Sequence, residues 1–327
     1  MKRTLQGLMI FLSLVLTGAA SSPASEKNVI LITFDGLRPK EFFDHDLLPR
    51  FWDEIVPTGV LYGKEGIVSN YRIASRIAIS EPSYQAIYVG HATACKNNGC
   101  PRVTDETFTE RAVRELGIPR EKVAVIASWD GLAAASEHMP GSIFVNAGLV
   151  PLEDGSGDPD LADLNQRQAL DPPKWGARKD LYTFAQGMRY LDKYRPRYLA
   201  MHFDDTDEWG HLKEFDNYRE ATHQYDAMLT QLFAKLDSMD DYGRQTYVFI
   251  STDHSRGWGP FWYTHGWTQF SEKGVYLFVR PPRAAGIAGR HVKKEKRDHS
   301  WLRPTIETLL GLSVSGDAAE RILPEIF

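Results

Sequence analysis

Short, almost wholly apolar runs recur along the chain, and polar or acidic residues follow each of them. Asn28–Phe34, 122–127, 197–203, 246–250 and 274–280 are of this kind, with 142–145 as a shorter candidate. Their length and β-branched content fit strands covered on both faces. Between them the spacing becomes helical. Phe215, Tyr218, Thr222, Tyr225, Leu229, Leu232 and Leu236 fall on one stripe at three- and four-residue steps, a packing face. Helices are also predicted over 38–52 with a break near Pro49, and over 84–89, opened by Ser80-Glu81-Pro82-Ser83 and stopped by Gly90. Others are predicted over 105–116 with Thr104 as cap and Gly117 as terminator, over 178–194, and over 301–310. The stretch 148–176 is rich in Gly, Pro and Asp and reads as a surface insertion, with one helix near 161–170 and a possible use as a small cap over a site. Strands alternating with helices predict an α/β fold: a three-layer α/β/α sandwich on a mostly parallel central sheet.

Composition adds little to this until the N-terminus. The 327 residues are 43% hydrophobic and 25% charged, which is ordinary for a globular protein with an ample core. A net charge of -5 and the lack of a basic stripe argue against binding of duplex nucleic acid, and 293–297 reads as a solvated charged loop or helix face. Lys2 and Arg3 precede a short apolar run, 8–16, and then Gly18-Ala19-Ala20. That is the layout of a signal peptide over 1–24, cleaved after Ala20 or Ala24, and the run is too short for a comfortable membrane span. The expectation is a periplasmic or secreted protein whose residues 25–327 form one catalytic domain, with no membrane span after cleavage. Cys95 and Cys100 then read as a small disulfide loop; a thiolate metal site is the weaker alternative.

The acidic residues after the apolar runs carry the candidate chemistry. Asp35, the cluster Asp204, Asp205 and Asp207, and Asp253 each closely follow a predicted strand. Parallel strands point the same way, so these acids should gather at one edge of one sheet, where open α/β sheets bind ligands. His211, His254 and His265 accompany them. A single Asp-His pair is usually an ordinary loop, and a single His on an apolar face is usually a satisfied core residue. Three carboxylates and three imidazoles are instead enough ligands for two zinc ions. Ser80, at a helix start, is by local rules a cap. Its hydroxyl also lies where unpaired amides and the helix dipole favour an oxyanion.

In the order Asp35-Gly36, Ser80-x-Pro82, Asp207-x-x-Gly210-His211, Asp253-His254, His265-Gly266, the chain resembles the alkaline phosphatase superfamily from about residue 28 to its end. Within it, the nucleotide pyrophosphatase/phosphodiesterase group and its bacterial exported relatives are the most similar branch. The resemblance implies that Asp35, Ser80, Asp253 and His254 hold one zinc, that Asp207, His211 and His265 hold the other, and that Ser80 is the nucleophile where that branch has threonine. That branch also places Asn directly after the proline to hold a phosphoryl oxygen. Here Ser83 stands there, so the substrate contact falls to Ser83 or to Asn98, with Lys96 and Arg76 as further substitutes. Sulfatases carry Arg where this chain has Tyr84, and they bind one calcium through an Asp-Asn pair where this chain has Asp253-His254. Imidazole is a poor calcium ligand. Cofactor-independent phosphoglycerate mutases need an inserted substrate domain for which this chain has no room.

The resemblance therefore implies a di-zinc hydrolase of small-molecule phosphate esters, monoester or diester, working by in-line displacement through a phosphoserine, with metals about 3.5–4 Å apart. Amides of the Ser80 helix would take the developing charge. A phosphonate or sulfate ester hydrolase on the same site is the alternative enzyme, and a non-catalytic metal- or anion-binding relative the alternative outside enzymes. Asp204 and Asp205 are candidates to orient His211 or His265. Trp258, Trp262, Tyr263 and Trp267 are candidates for an aromatic wall around a nucleoside or aryl leaving group. His91 reads as structural.

Overall fold

The computed structural model describes residues 27–66, 68–266, 270–282, 286–287 and 289–327. The signal-peptide reading of 1–24 and the placement of Trp267 lie outside them. In chain order the strands are β1 (Asn28–Phe34), β2 (Val60–Tyr62), β3 (Tyr71–Arg72), β4 (Val123–Ala127), β5 (Phe144–Ala147), β6 (Tyr198–Phe203), β7 (Thr246–Ser251), β8 (Gly274–Val275), β9 (Leu277–Arg280), β10 (Arg290–Val292) and β11 (Arg297–Asp298). Eight of them form the central sheet in the order β10-β2-β9-β7-β1-β6-β4-β5, and β11-β3-β8 form a small second sheet. Within the central sheet only β9 runs antiparallel to its neighbours, β7 and β2.

β1 is buried at every position because alternate side chains feed two different cores. Val29 and Leu31 face one core, with Ile87 of the helix Ser80–Val89, Phe108 of the helix Phe108–Leu116, and Ile306 of the helix Leu302–Leu310. Ile30, Ile32 and Phe34 face the other, with Leu191 of the helix Asp180–Tyr194 and Leu229 of the helix Phe215–Asp237. This is the three-layer α/β/α arrangement. Of the predicted stripe on the last of these helices, Tyr218, Thr222, Tyr225, Leu229, Leu232 and Leu236 are all buried.

Several local expectations change. The helix expected over 38–52 shrinks to Pro39–Phe42, followed by turns and a wide helical turn at Phe51–Ile55. Phe42, Leu47, Leu48 and Phe51 are still buried, so a folded loop satisfies the same apolar spacing. The Asp226 carboxylate, from the long helix, accepts the amides of Arg50 and Phe51 and fixes the restart. The run 274–280 is not one final strand. It breaks at Tyr276 so that β8 joins the small sheet and β9 the large one, and β10 and β11 follow. A short helix, Asp205–Leu212, stands apart from the long one. The stretch 148–176 does contain a helix, Pro159–Leu170, capped by Asp158. It packs beside the helix Asp180–Tyr194, where Arg189 pairs with Asp158.

The helix expected from 105 begins three residues later. Thr107, not Thr104, is its cap: Thr107 Oγ1 accepts the Glu110 amide while the Glu110 carboxylate accepts the Thr107 amide. Glu110 also accepts the amides of His138 and Met139, so this capping box joins two segments. Thr107→Ala should lower stability by about 1–2 kcal/mol, while Thr104→Ala at the exposed position should stay within about 0.5 kcal/mol. Denaturant unfolding of the two variants measures the difference.

Candidate metal centre

Strands β7, β1 and β6 are adjacent and parallel, so their carboxyl ends open side by side. Asp35 follows β1 directly. Asp253 and His254 follow β7 after Thr252. Asp207 and His211 sit one turn apart on the helix Asp205–Leu212, which starts where β6 ends. A turn at Gly36 (φ +62°) lets these segments meet. A Cβ there would lie 2.5 Å from Asp207 Oδ1 and 2.8 Å from Arg256 Nε. The position needs glycine for its conformation and for its space.

The sequence-predicted side chains do come together. Ser80 Oγ lies 3.5 Å from Asp35 Oδ1 and 3.3 Å from His254 Nε2. His254 Nε2 lies 3.5 Å from Asp35 Oδ1 and 3.4 Å from Asp253 Oδ2. Asp207 Oδ1 is 3.9 Å from both His254 Nε2 and His265 Nε2, and Asp207 Oδ2 is 2.9 Å from His211 Nε2. His211 Nε2 and His265 Nε2 are 3.2 Å apart. Two groups of ligand atoms are compact enough to share an ion: Asp35, Asp253 and His254, and Asp207, His254 and His265. His211 is half exposed, so the cluster opens to solvent on its side.

The donor chemistry suits metal ions. His254 Nδ1 is 3.0 Å from the Ser255 carbonyl, and His265 Nδ1 is 2.9 Å from the Ala78 carbonyl. A carbonyl can only accept, so each Nδ1 carries the hydrogen and each Nε2 turns a lone pair inward. Burial holds His254 well below the usual histidine range and also lowers His265, which keeps both rings neutral. The carboxylates need a counter-charge. Burial and then the charges of Asp253 and Asp207 push Asp35 well above its ordinary value, and burial and then Asp207 raise Asp253 to about 7. Asp253 Oδ2 is buried without a hydrogen-bond partner, an orphan acceptor aimed at the same space as His254 Nε2.

Sequence reasoning missed Arg256. It is buried, and its Nη2 donates to the Asp207 carbonyl at 2.7 Å and to the Asp207 carboxylate. Burial would raise Asp207, but Arg256, followed by His265 and His211, outweighs it and holds the carboxyl well below the usual range. Arg256 stands two residues after His254, yet nothing in its residue type tells a buried partner from a loop arginine.

Other candidates fall elsewhere. Ser83 is buried with its hydroxyl 2.9 Å from Ser75 Oγ. Asn98 is exposed at the start of the Ser80 helix, where its Oδ1 accepts the Glu81 amide at 3.0 Å. That changes the expectation for the helix amides: Glu81 N is taken by Asn98, Pro82 has no N–H, and Ser83 N donates to the Ile79 carbonyl. Lys96 and Arg76 are exposed. Cys95 and Cys100 form the expected disulfide. His91 faces Asp105 in an exposed pair at the far end of the helix. Asp180 accepts the amides of Asp204 and Asp205, and neither acid contacts His211 or His265 among the described residues. Trp258 and Trp262, with Arg38, Lys40 and Phe215, line a cavity of about 310 Å³. The 148–176 segment reaches the site only at its end, where Trp175 meets Trp209 on the Asp207–His211 helix at 4.8 Å.

The family model described as type I phosphodiesterase / nucleotide pyrophosphatase matches residues 29–303, which include every ligand-type side chain named above. The chain belongs to this family. Solved structures of the same fold include the phosphonate monoester hydrolase of Silicibacter pomeroyi (13% identity, TM-score 0.61, covering 91% of this chain and 76% of that one). They also include an alkaline phosphatase superfamily protein of Vibrio parahaemolyticus (12%, 0.61, 91% and 71%) and a 2-O GAG sulfatase (15%, 0.61, 90% and 72%). No curated protein matches the chain. The family match places the chain among type I phosphodiesterases / nucleotide pyrophosphatases, and these neighbours show that it shares the fold of alkaline phosphatase superfamily members. Members of this superfamily typically use metal ions, and the two ligand clusters here are candidates to hold them.

The raised carboxyls set a pH dependence for chelated protein. A group whose folded pKa is raised binds more protons folded than unfolded, so the stability it adds is present at low pH and lost as pH rises. For Asp253 the loss runs from its ordinary value of 3.8 to about 7, and Asp35 acts in the same direction. In EDTA-treated protein Asp253→Asn should therefore flatten the fall in melting temperature between pH 5 and pH 8. An unchanged slope in the variant would contradict this account of the cluster.

Proposed function

We propose that the chain is an exported di-zinc hydrolase that cleaves phosphate esters through a phosphoserine on Ser80. The observation that carries this reading is the meeting of Asp35, Asp253, Asp207, His254 and His265 in one cluster, with the Ser80 hydroxyl against Asp35 and His254. Asp35, Asp253, His254 and Ser80 would hold one ion, and Asp207, His211 and His265 the other. When bound, such ions act as Lewis acids that lower the pKa of a serine hydroxyl and stabilise charge on a leaving oxygen.

The chain's own residues would do the rest. Ser80, held at the first position of its helix and buried at 3% exposure, presents Oγ to phosphorus. A bond from Oγ to phosphorus forms as the bond to the leaving alcohol breaks, and water then hydrolyses the phosphoserine. Asn98 has its Oδ1 fixed on Glu81 N, which leaves the two N–H bonds of Nδ2 to offer a non-bridging oxygen. The Trp258 and Trp262 cavity would take an aryl or nucleoside part of a small-molecule substrate. What supports this is chain spacing: its walls begin three or four residues beyond Asp35, His211 and His254. Export rests on the signal-peptide layout of 1–24 and on the disulfide. Among the described residues no helix is long and apolar enough to cross a membrane.

The test uses zinc-loaded protein on aryl phosphate monoester, diester, phosphonate and sulfate. Turnover of a phosphate ester should fall by at least about 10³-fold in Ser80→Ala with zinc content kept, while Asp253→Ala should lose zinc. Near wild-type turnover in Ser80→Ala would remove the phosphoserine. Zinc binding with no turnover on any substrate would favour a non-catalytic binding protein.

A further inference from the structure

Arg256 is buried to 1% exposure beside the ligand cluster, and its surroundings come from the segments that carry Asp35, Asp207 and His265. Nη2 donates to the carbonyl and carboxylate of Asp207, and Nη1 donates at 2.6 Å to the carbonyl of Tyr263, two residues before His265. The loop that carries it is closed by Gly257 N on Thr264 O at 2.8 Å. Two glycines make the space. A Cβ on Gly36 would lie 2.8 Å from Arg256 Nε, and one on Gly210 would lie 2.4 Å from Arg256 Cζ. A slot this tight fixes the guanidinium in one place.

That place is lopsided. Arg256 hydrogen-bonds to Asp207, whereas Asp253 is held on its Oδ1 by the Gly36 amide at 3.1 Å and keeps a buried Oδ2 with no partner. Among the described residues, one half of the cluster thus has a positive charge hydrogen-bonded to its carboxylate and the other half has none. A dication beside Asp207 must share that carboxylate with the guanidinium and bear its repulsion; a dication between Asp35 and Asp253 finds an unshared oxygen.

We propose that Arg256 is a positioning residue that holds Asp207 and makes the two metal positions unequal. The Asp35, Asp253 and His254 position fills first and tighter; the Asp207, His211 and His265 position fills second and weaker. This deepens the two-metal reading above and rests on it.

Zinc titration of metal-stripped protein by isothermal calorimetry tests it without turnover. Wild type should take up two ions in steps separated by at least about tenfold in Kd, and His211→Ala should abolish the weaker step alone. Arg256→Gln removes the charge, so the weaker step should tighten by about tenfold while the tighter one moves less than about threefold. Arg256→Lys keeps the charge without the fork and should keep two resolved steps. Two equal ions in wild type, or an unchanged gap in Arg256→Gln, would overturn the inequality and leave the two-metal reading standing. No uptake at all would sink that reading and this one with it. If Arg256→Gln fails to fold, the wild-type, His211→Ala and Arg256→Lys isotherms decide the question.

Discussion

Asp35, Asp253 and Asp207 repel one another across a space from which water is largely excluded. Parallel pairing of β7, β1 and β6 makes this repulsion unavoidable, because it sets neighbouring carboxyl ends level. Taking a carboxylate out of water costs several kcal/mol, and a second one beside it raises the cost again. Such a cluster persists only if something positive or protic joins it. Without an ion, Asp35 and Asp253 move toward their protonated forms, chiefly because they are buried. Asp207 instead stays ionised against the Arg256 guanidinium. The surrounding lone pairs at His254 and His265 Nε2 cannot neutralise the acids, because both rings are kept neutral. The electrostatic deficit and the inward lone pairs together describe a place for cations.

The fold holds the serine against this cluster from two directions. Along the helix, Tyr84 OH lies 3.2 Å from Thr33 Oγ1 on β1, and Tyr88 OH lies 2.7 Å from His202 Nε2 on β6. His202 Nδ1 closes the network on Thr33 at 2.5 Å, and burial lowers this ring to about 3, so it serves as a neutral connector. A buried network with partners on two strands fixes the rotation of the helix about its axis, and so the direction of the Ser80 side chain. At the helix start, Glu81 exchanges hydrogen bonds with the disulfide loop: its N–H donates to Asn98 Oδ1, and its Oε2 accepts the Cys100 amide.

Strand ends and the acids that follow them were legible in the sequence because β1, β4, β6 and β7 are buried on both faces. Such strands need continuous apolar runs, and a run announces its own end. The long helix was legible because one face of it is buried. Elements that depend on partners far along the chain were not. β2 and β10 are three residues each and have no pattern of their own; β2 exists because β9 supplies an edge, and β10 because β2 then supplies the next. The segment after Phe42 has helical spacing, but Asp226, far along the chain, decides where it turns. The candidate site divides in the same way. Asp35, Asp253 and His254 sit at strand ends, where topology alone predicts convergence. Arg256, Asp180 and His202 act through contacts across the fold, and no local signal separates them from ordinary polar residues.

The helix start shows why residue type at one position is a poor guide to who holds a phosphoryl oxygen. Pro82 removes one amide, the Ser83 amide is spent inside the helix, and the Ser83 hydroxyl is turned to Ser75. With Glu81 N taken by Asn98 as well, the amides that follow Ser80 in the first turn are spent, and a side-chain donor for an oxyanion beside Ser80 has to come from outside the helix. Asn98 is delivered there by a loop whose ends are joined by Cys95 and Cys100, and such a closure limits how far an exposed segment can drift. Because its carbonyl oxygen is already committed to Glu81, the amide cannot flip without losing that bond. On the proposed reading, covalent closure of the loop and the single bond to Glu81 together do what a residue built into the helix would otherwise do. They keep an N–H donor beside the nucleophile at little conformational cost when substrate arrives.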